Sequence, residues 1–300
     1  MINRMSSSQV HVSSLDVILD AQAKLQRTQE EMASGKRILN PSDDPVASSQ
    51  IMQIQSELAR IETLQSNANL AAGELAMVEG SVSNVESILM RVKDLAIRAG
   101  SASLSAQDKE TIAAEIDSLR DQLIAVANTQ DSNGDYIYSG YAVETRPYTD
   151  AGLNATYGGD LGGRLITIAS GLTVDVRVNG QALFGAGLAE TGEYNAFEAL
   201  GFLSTSIRAG TSVDTYVSAV DDNLENVISI RASIGSEMDR VEDQQVLNDN
   251  FNLHLREILS GLEDLDYTKA ITEMNLQMVA LEAAQKAYTA TQKISLFNYL

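Results

Sequence analysis

The 300-residue chain has no cysteine, no tryptophan, two histidines and three prolines. Without cysteine there are no disulfides and no thiolate metal sites, which suits a protein that leaves the cytosol without oxidative folding. His11 and His254 stand far apart with no second ligand at metal spacing, and no Ser-His-Asp or Cys-His set can be assembled on any spacing logic. No apolar run approaches the ~20 residues of a membrane-spanning helix. The opening stretch Met1–Ser14 lacks the apolar core of a signal peptide, so export would use another route. Aromatic residues are missing altogether before Tyr136.

Charge of one sign is also short, with 21 basic residues against 41 acidic ones and a formal net charge of −20. Such a chain is a poor partner for nucleic acid or anionic membrane, both of which recruit clustered Lys and Arg. The imbalance is local. Residues 1–40 carry five basic and four acidic groups, residues 266–300 carry three of each, and 41–265 holds 13 basic and 34 acidic. Neutral ends pack beside copies of themselves at little electrostatic cost, whereas an acidic middle stays solvated.

Apolar residues make up 44% of the chain, enough for a core. They recur at alternating spacings of three and four in Leu75-Val78-Val82-Val85-Leu89-Val92-Ala96-Ala99, in Ile112-Ile116-Leu119-Leu123-Val126, and in Val217-Val220-Leu224-Val227-Arg231-Ile234-Met238-Val241. Apolar positions every 3.5 residues are seams between near-parallel helices. Ser105 or Asp108 is the candidate cap in the turn between the first two. Residues 134–210 hold 14 of the 20 glycines and show alternation at Leu165, Ile168, Val174, Val176 and Val178, with turns at Ser170-Gly171 and Asn179-Gly180. The second of these carries a hairpin signature. The expected architecture is mainly α with an inserted β domain: terminal coiled-coil helices at 1–40 and 265–300, an elongated helical bundle from 41–134 and 212–264, and a small β-rich domain at 135–211.

Other motifs carry no chemistry. Asp131–Asp135 opens like a calcium loop, but its glycine sits at the fourth position and Ala142 stands where a bidentate Glu belongs. The Tyr157–Gly163 stretch lacks the Lys-Ser/Thr of a phosphate loop. No cofactor and no catalytic residue are expected.

The chain ends are the feature that points to function. Leu15, Ile18, Gln22, Leu25, Gln29 and Met32 keep heptad spacing, with glutamine at two seam positions. Leu255, Ile258, Leu262 and Leu265 form a seam whose register then breaks, and Ile271, Met274, Met278, Leu281 and Tyr288 continue on a shifted face beside Leu276 and Val279. That band is wider than one partner helix needs, and it runs into an apolar terminus with Leu296, Phe297 and Leu300. A surplus apolar face marks an interaction surface. Between the first two helices, Asn40, Pro41, Ser42, Asp43, Asp44 and Pro45 read as a stop, a turn and a restart.

The stretch Leu25–Ile51, with its Ser-Gly-Lys-Arg-Ile and Asp43-Asp44, resembles the N-terminal signature of the flagellin superfamily, and the C-terminal helix ending in Leu-Phe-Asn-Tyr-Leu resembles its other half. Filament members typically show Asp-Asp-Ala-Ala-Gly after the connector. Asp43-Asp44-Pro45-Val46-Ala47 after Asn40-Pro41-Ser42 is similar instead to the hook-associated branch. The resemblance implies a structural adaptor, not an enzyme, exported through the flagellum's own type III channel. Its ends would be disordered before assembly and form the inner tube afterwards. Its implied partners are other copies of itself in a ring, the first hook-associated protein, flagellin, and a cytosolic export chaperone on the C-terminal helix, without nucleic acid or membrane insertion. A flagellin-type filament subunit is the alternative, and an enzyme carried in the middle domain a more distant one.

Overall fold

The computed structural model describes residues 7–100, 104–187, 191 and 193–297, with backbone alone at 7–11, 154 and 291–297. The chain divides into two compact units, residues 1–60 with 251–300, and residues 61–250.

The first unit holds α1 (Ser7–Ser34), the start of α2 (Pro45–Ala99), the end of α6 (Asp214–Glu263) and α7 (Tyr267–Phe297). Helix α1 contains neither proline nor glycine and stops where Gly35 takes φ 72°, the left-handed conformation that closes a helix C-terminus. Helix α2 restarts on Pro45, whose fixed φ and missing N–H suit a first helical position. The Asp44 Oδ1 accepts the Ala47 amide at 3.0 Å, so Asp44 is the cap. The register break read after Leu265 is a break in the helix itself: α6 ends at Glu263 and α7 begins at Tyr267. Asp266 caps the new start, its Oδ1 accepting the Thr268 and Lys269 amides at 2.9 and 3.1 Å.

The second unit is built on seams that the heptad spacing located. Every position from Leu75 to Ala99 in the α2 set is buried, as are Ile112, Ile116 and Leu123 of α3 (Ala106–Ala127) and Val220, Leu224, Val227, Ile234 and Val241 of α6. Ser105 and Asp108 form a reciprocal capping box at the start of α3. Arg231, the one cation in the α6 seam, reaches Glu79 and Glu86 of α2, each at 2.7 Å.

The glycine-rich segment contains two separate antiparallel hairpins, β1 (Tyr148–Ala151) with β2 (Asn154–Tyr157) and β3 (Leu165–Ala169) with β4 (Leu172–Asp175). Two expectations there need correction. Asn179-Gly180 is not a hairpin turn: Asn179 caps the short helix α4 (Gly180–Phe184), its side chain accepting the Ala182 amide at 2.7 Å. Glycine is required at 180 by close approach, since a Cβ there would lie 2.8 Å from the Tyr148 ring. The segment also ends in a helix, α5 (Ala196–Ala209), with a capping box between Asn195 and Glu198. Tyr148, Phe184 and Phe197 pack at centroid distances of 4.8–5.4 Å, joining β1, α4 and α5 in one core with the helices.

Candidate functional site, the paired terminal helices

In the first unit α1 lies against α7. The α1 positions turned inward are Ser14, Ile18, Ala21, Leu25, Thr28 and Met32, and those of α7 are Ala270, Met274, Gln277, Leu281, Ala284 and Tyr288. Both series alternate spacings of four and three, the pattern of one helix facing one partner. The seam contains a polar pair: Thr28, 6% exposed, donates its hydroxyl to the Gln277 Oε1 at 3.1 Å.

The structure splits the sequence-derived set. Ile18, Leu25, Met32, Met274, Leu281 and Tyr288 lie in this seam, half-buried. Leu15, Ile271 and Met278 are exposed on other faces, as are Gln22 and Gln29. The glutamines expected at two seam positions therefore lie off the α1–α7 seam, where Ala21 and Thr28 take the adjacent places. Leu262 packs with Leu259 against a satellite core of Ile38, Ala47 and Ile51, and Leu265 is half-buried beside it in sequence. Leu300 and the side chains of Leu296 and Phe297 lie outside the described residues.

What remains outward is apolar. On α7, Leu276 and Val279 are each 66% exposed, with Ile271 and Met278 also open; on α1, Val12, Leu15, Val17 and Leu19 are exposed. These are large side chains on two adjoining helices, left open by the described residues of the unit. In water such a surface favours burial against another apolar surface, at about 25 cal/mol for each Å² removed.

The two helix breaks are tied together. Lys36 and Asp264 face each other as an antiparallel bridge, with the Arg37 amide donating to the Glu263 carbonyl at 2.8 Å and the Leu265 amide to the Gly35 carbonyl at 3.0 Å. Each break also caps the helix end opposite. The Tyr267 hydroxyl donates to the Met32 carbonyl in the last turn of α1 at 3.1 Å, and Arg37 Nη2 donates to the Leu262 carbonyl in the last turn of α6 at 2.9 Å. These satisfy carbonyls that a helix end leaves without intrahelical partners. Lys36 pairs with Glu263 alongside.

The connector is ordered by its carboxylates. Asp43 Oδ2 accepts the Asn40 and Leu39 amides at 3.0 and 3.3 Å, and Oδ1 meets Arg27 of α1 at 3.1 Å. The Asn40 amide first, and the Arg27 charge with the Leu39 amide, hold the Asp43 carboxyl below the usual carboxylate range. Asn40, Pro41 and Pro45 are exposed on the outside of this turn, and Asp44 is half-buried at the cap. Sequence reading missed Arg27, Thr28, Arg37, Tyr267 and Gln277. A visible signal was the pairing of Gly35, a left-handed stop, with Asp266, a restart, at the inner ends of the two arms.

Bacterial flagellin N-terminal helical region matches residues 5–143, and bacterial flagellin C-terminal helical region matches 217–300. The chain belongs to the flagellin family. It is 28% identical to flagellar hook-associated protein 3 of Escherichia coli strain K12, over 98% of this chain and 99% of that one. A flagellin of Listeria innocua is 26% identical over 83% of this chain and 81% of its own length. Among solved structures, the flagellar junction protein FlgL from Legionella pneumophila superposes with a TM-score of 0.61, covering 73% of this chain and 100% of that chain at 19% identity. That last likeness is one of fold. The family's two matched regions contain all of α1, the connector and α7, so the paired helices and their clasp belong to the shared part of the chain.

Proposed function

We propose that this chain is a structural adaptor of the bacterial flagellum, joining a hook-associated protein to filament flagellin by axial packing of its terminal helices. The observation that carries the reading is the outward apolar surface of α1 and α7, on a chain aligned end to end with hook-associated protein 3. Other copies of the chain, arranged in a ring, would cover that surface. The first hook-associated protein would lie on one side and flagellin on the other, and a cytosolic export chaperone would shield α7 before assembly. The subunit reaches the outside of the cell by type III export and performs no catalysis.

A filament subunit is the second reading, favoured by the alignment with flagellins over most of the chain. Deleting the gene separates the two. An adaptor's loss leaves hooks in place and sheds intact flagellin filament into the medium; a filament subunit's loss removes the filament protein itself. Finding filaments still attached to hooks in the deletion strain overturns the adaptor.

A further inference from the structure

The apolar repeat on the inward faces of α1 and α7 fits more than one alignment. Both repeat every seven residues, and their large members are Ile18, Leu25 and Met32 on α1 and Met274, Leu281 and Tyr288 on α7. Sliding one helix by a heptad, about 10 Å at 1.5 Å per residue, sets Leu25 against Met274 or Tyr288 in place of Leu281 and keeps the apolar pattern. The Thr28–Gln277 hydrogen bond marks the native alignment within the seam. The clasp is different. Its two backbone hydrogen bonds and its two reciprocal caps, Tyr267 to Met32 and Arg37 to Leu262, can form in one alignment alone.

We propose that the clasp between residues 35–37 and 262–267 sets the register of the terminal helices, and that α1 and α7 zip outward from it. Arg37 and Tyr267 are its positioning residues. By holding the inner ends together, the clasp removes most of the loop-closure cost of bringing the first heptads into contact, and it gives them a high effective concentration. A slipped pair would expose a different apolar surface to neighbouring copies, so a register set inside the subunit presents every copy with the same face. The proposal rests on the pairing of α1 with α7, not on the adaptor role, and it holds for a filament subunit too.

The chain has no native cysteine, so disulfide trapping reads the register directly. The Thr28–Gln277 contact, carried one heptad outward on both helices, places Ala21 level with Ala284. In the full-length chain, Ala21→Cys with Ala284→Cys is expected to cross-link under mild oxidation, and Ser14→Cys with Ala284→Cys, one heptad out of register, is not. Adding Arg37→Ala and Tyr267→Phe is expected to lower the first product and raise the second. In the unaltered chain, the Arg37 and Leu265 amides are expected to exchange more slowly than amides from Ser14 to Leu25. Three results overturn the proposal: equal yields of the two products in the parent, the 21–284 product unchanged when both caps are removed, or clasp amides exchanging as fast as those of the outer heptads. The exchange measurement decides the question even where the capless variant fails to fold.

Discussion

Tyr148 and Tyr157 sit 5.2 Å apart, centroid to centroid, and their hydroxyls have opposite fates. The Tyr157 hydroxyl lies 2.7 Å from the Asp160 carbonyl and 3.0 Å from that of Tyr138, so it has an acceptor whichever way it turns. The Tyr148 hydroxyl is buried with no hydrogen-bond partner among the described residues, and burial pushes its pKa up. A satisfied hydrogen bond contributes on the order of 1 kcal/mol, while an unsatisfied buried polar group costs a comparable amount. Tyr157→Phe is therefore expected to lower stability by about 1 kcal/mol, and Tyr148→Phe to leave it unchanged or raise it. Urea unfolding of the two variants, read by helical circular dichroism, checks both signs; a larger loss at 148 than at 157 refutes the assignment. The sequence showed neither fate, because both tyrosines fall on strands and the partners of Tyr157 are backbone carbonyls brought near by a turn. Gly180 taught the same lesson. Its Asn-Gly dipeptide has the signature of a hairpin turn, but the glycine is there because a Cβ would lie within 2.9 Å of two tyrosine rings.

At the scale of elements, helices were legible wherever periodicity ran long, and caps wherever the motif was local. Ser105 and Asp108 are legible as candidate caps, and the structure joins them in one box. The equivalent box at Asn195–Glu198 was hidden by its setting in a glycine-rich, β-like segment, and with it went α5. Asn195 is buried, and its side chain accepts the Glu198 amide at 2.8 Å. Asn195→Ala is expected to cost about 1 kcal/mol in urea unfolding, as loss of an N-cap does, and Asn195→Asp much less. The connector responds to acid. Asp43 is held ionised by the Asn40 and Leu39 amides and by Arg27, so its pKa in the fold lies below the unfolded value. The stability this adds is complete above the ordinary carboxylate pKa of about 3.9. It is lost as pH falls through the lower folded value. Amide exchange at Leu39 and Asn40, corrected for its intrinsic pH dependence, is expected to show protection that fails only below about pH 4. Asp43→Asn should abolish that dependence; protection that already fails near neutral pH contradicts the account.

For the whole molecule, the heptads announced helical arms around a glycine-rich insert, but they did not say which of two overlapping stripes on α1 meets α7. Ser14-Ile18-Ala21-Leu25-Thr28-Met32 and Val12-Leu15-Leu19-Gln22-Gln26-Gln29 both keep the spacing, and a reading by hydrophobicity mixed them. The inner stripe is set by contacts between opposite ends of the sequence, Thr28 with Gln277 among them. The distinction yields opposite expectations for substitutions on the same helix. Leu276 and Val279 are two-thirds exposed, so Leu276→Asp with Val279→Asp removes little buried surface within the subunit, and surface changes of that kind are usually within about 0.5 kcal/mol of neutral. Leu281→Asp puts a carboxylate into the α1–α7 seam and should loosen the pair in the isolated chain. If the outward face is covered by neighbouring copies, the exposed double variant should unfold like the parent in urea and still fail to restore filament attachment in a deletion strain. Full restoration by that variant would remove the outward face from the assembly surface, and with it the physical reason for carrying so much leucine and valine into water.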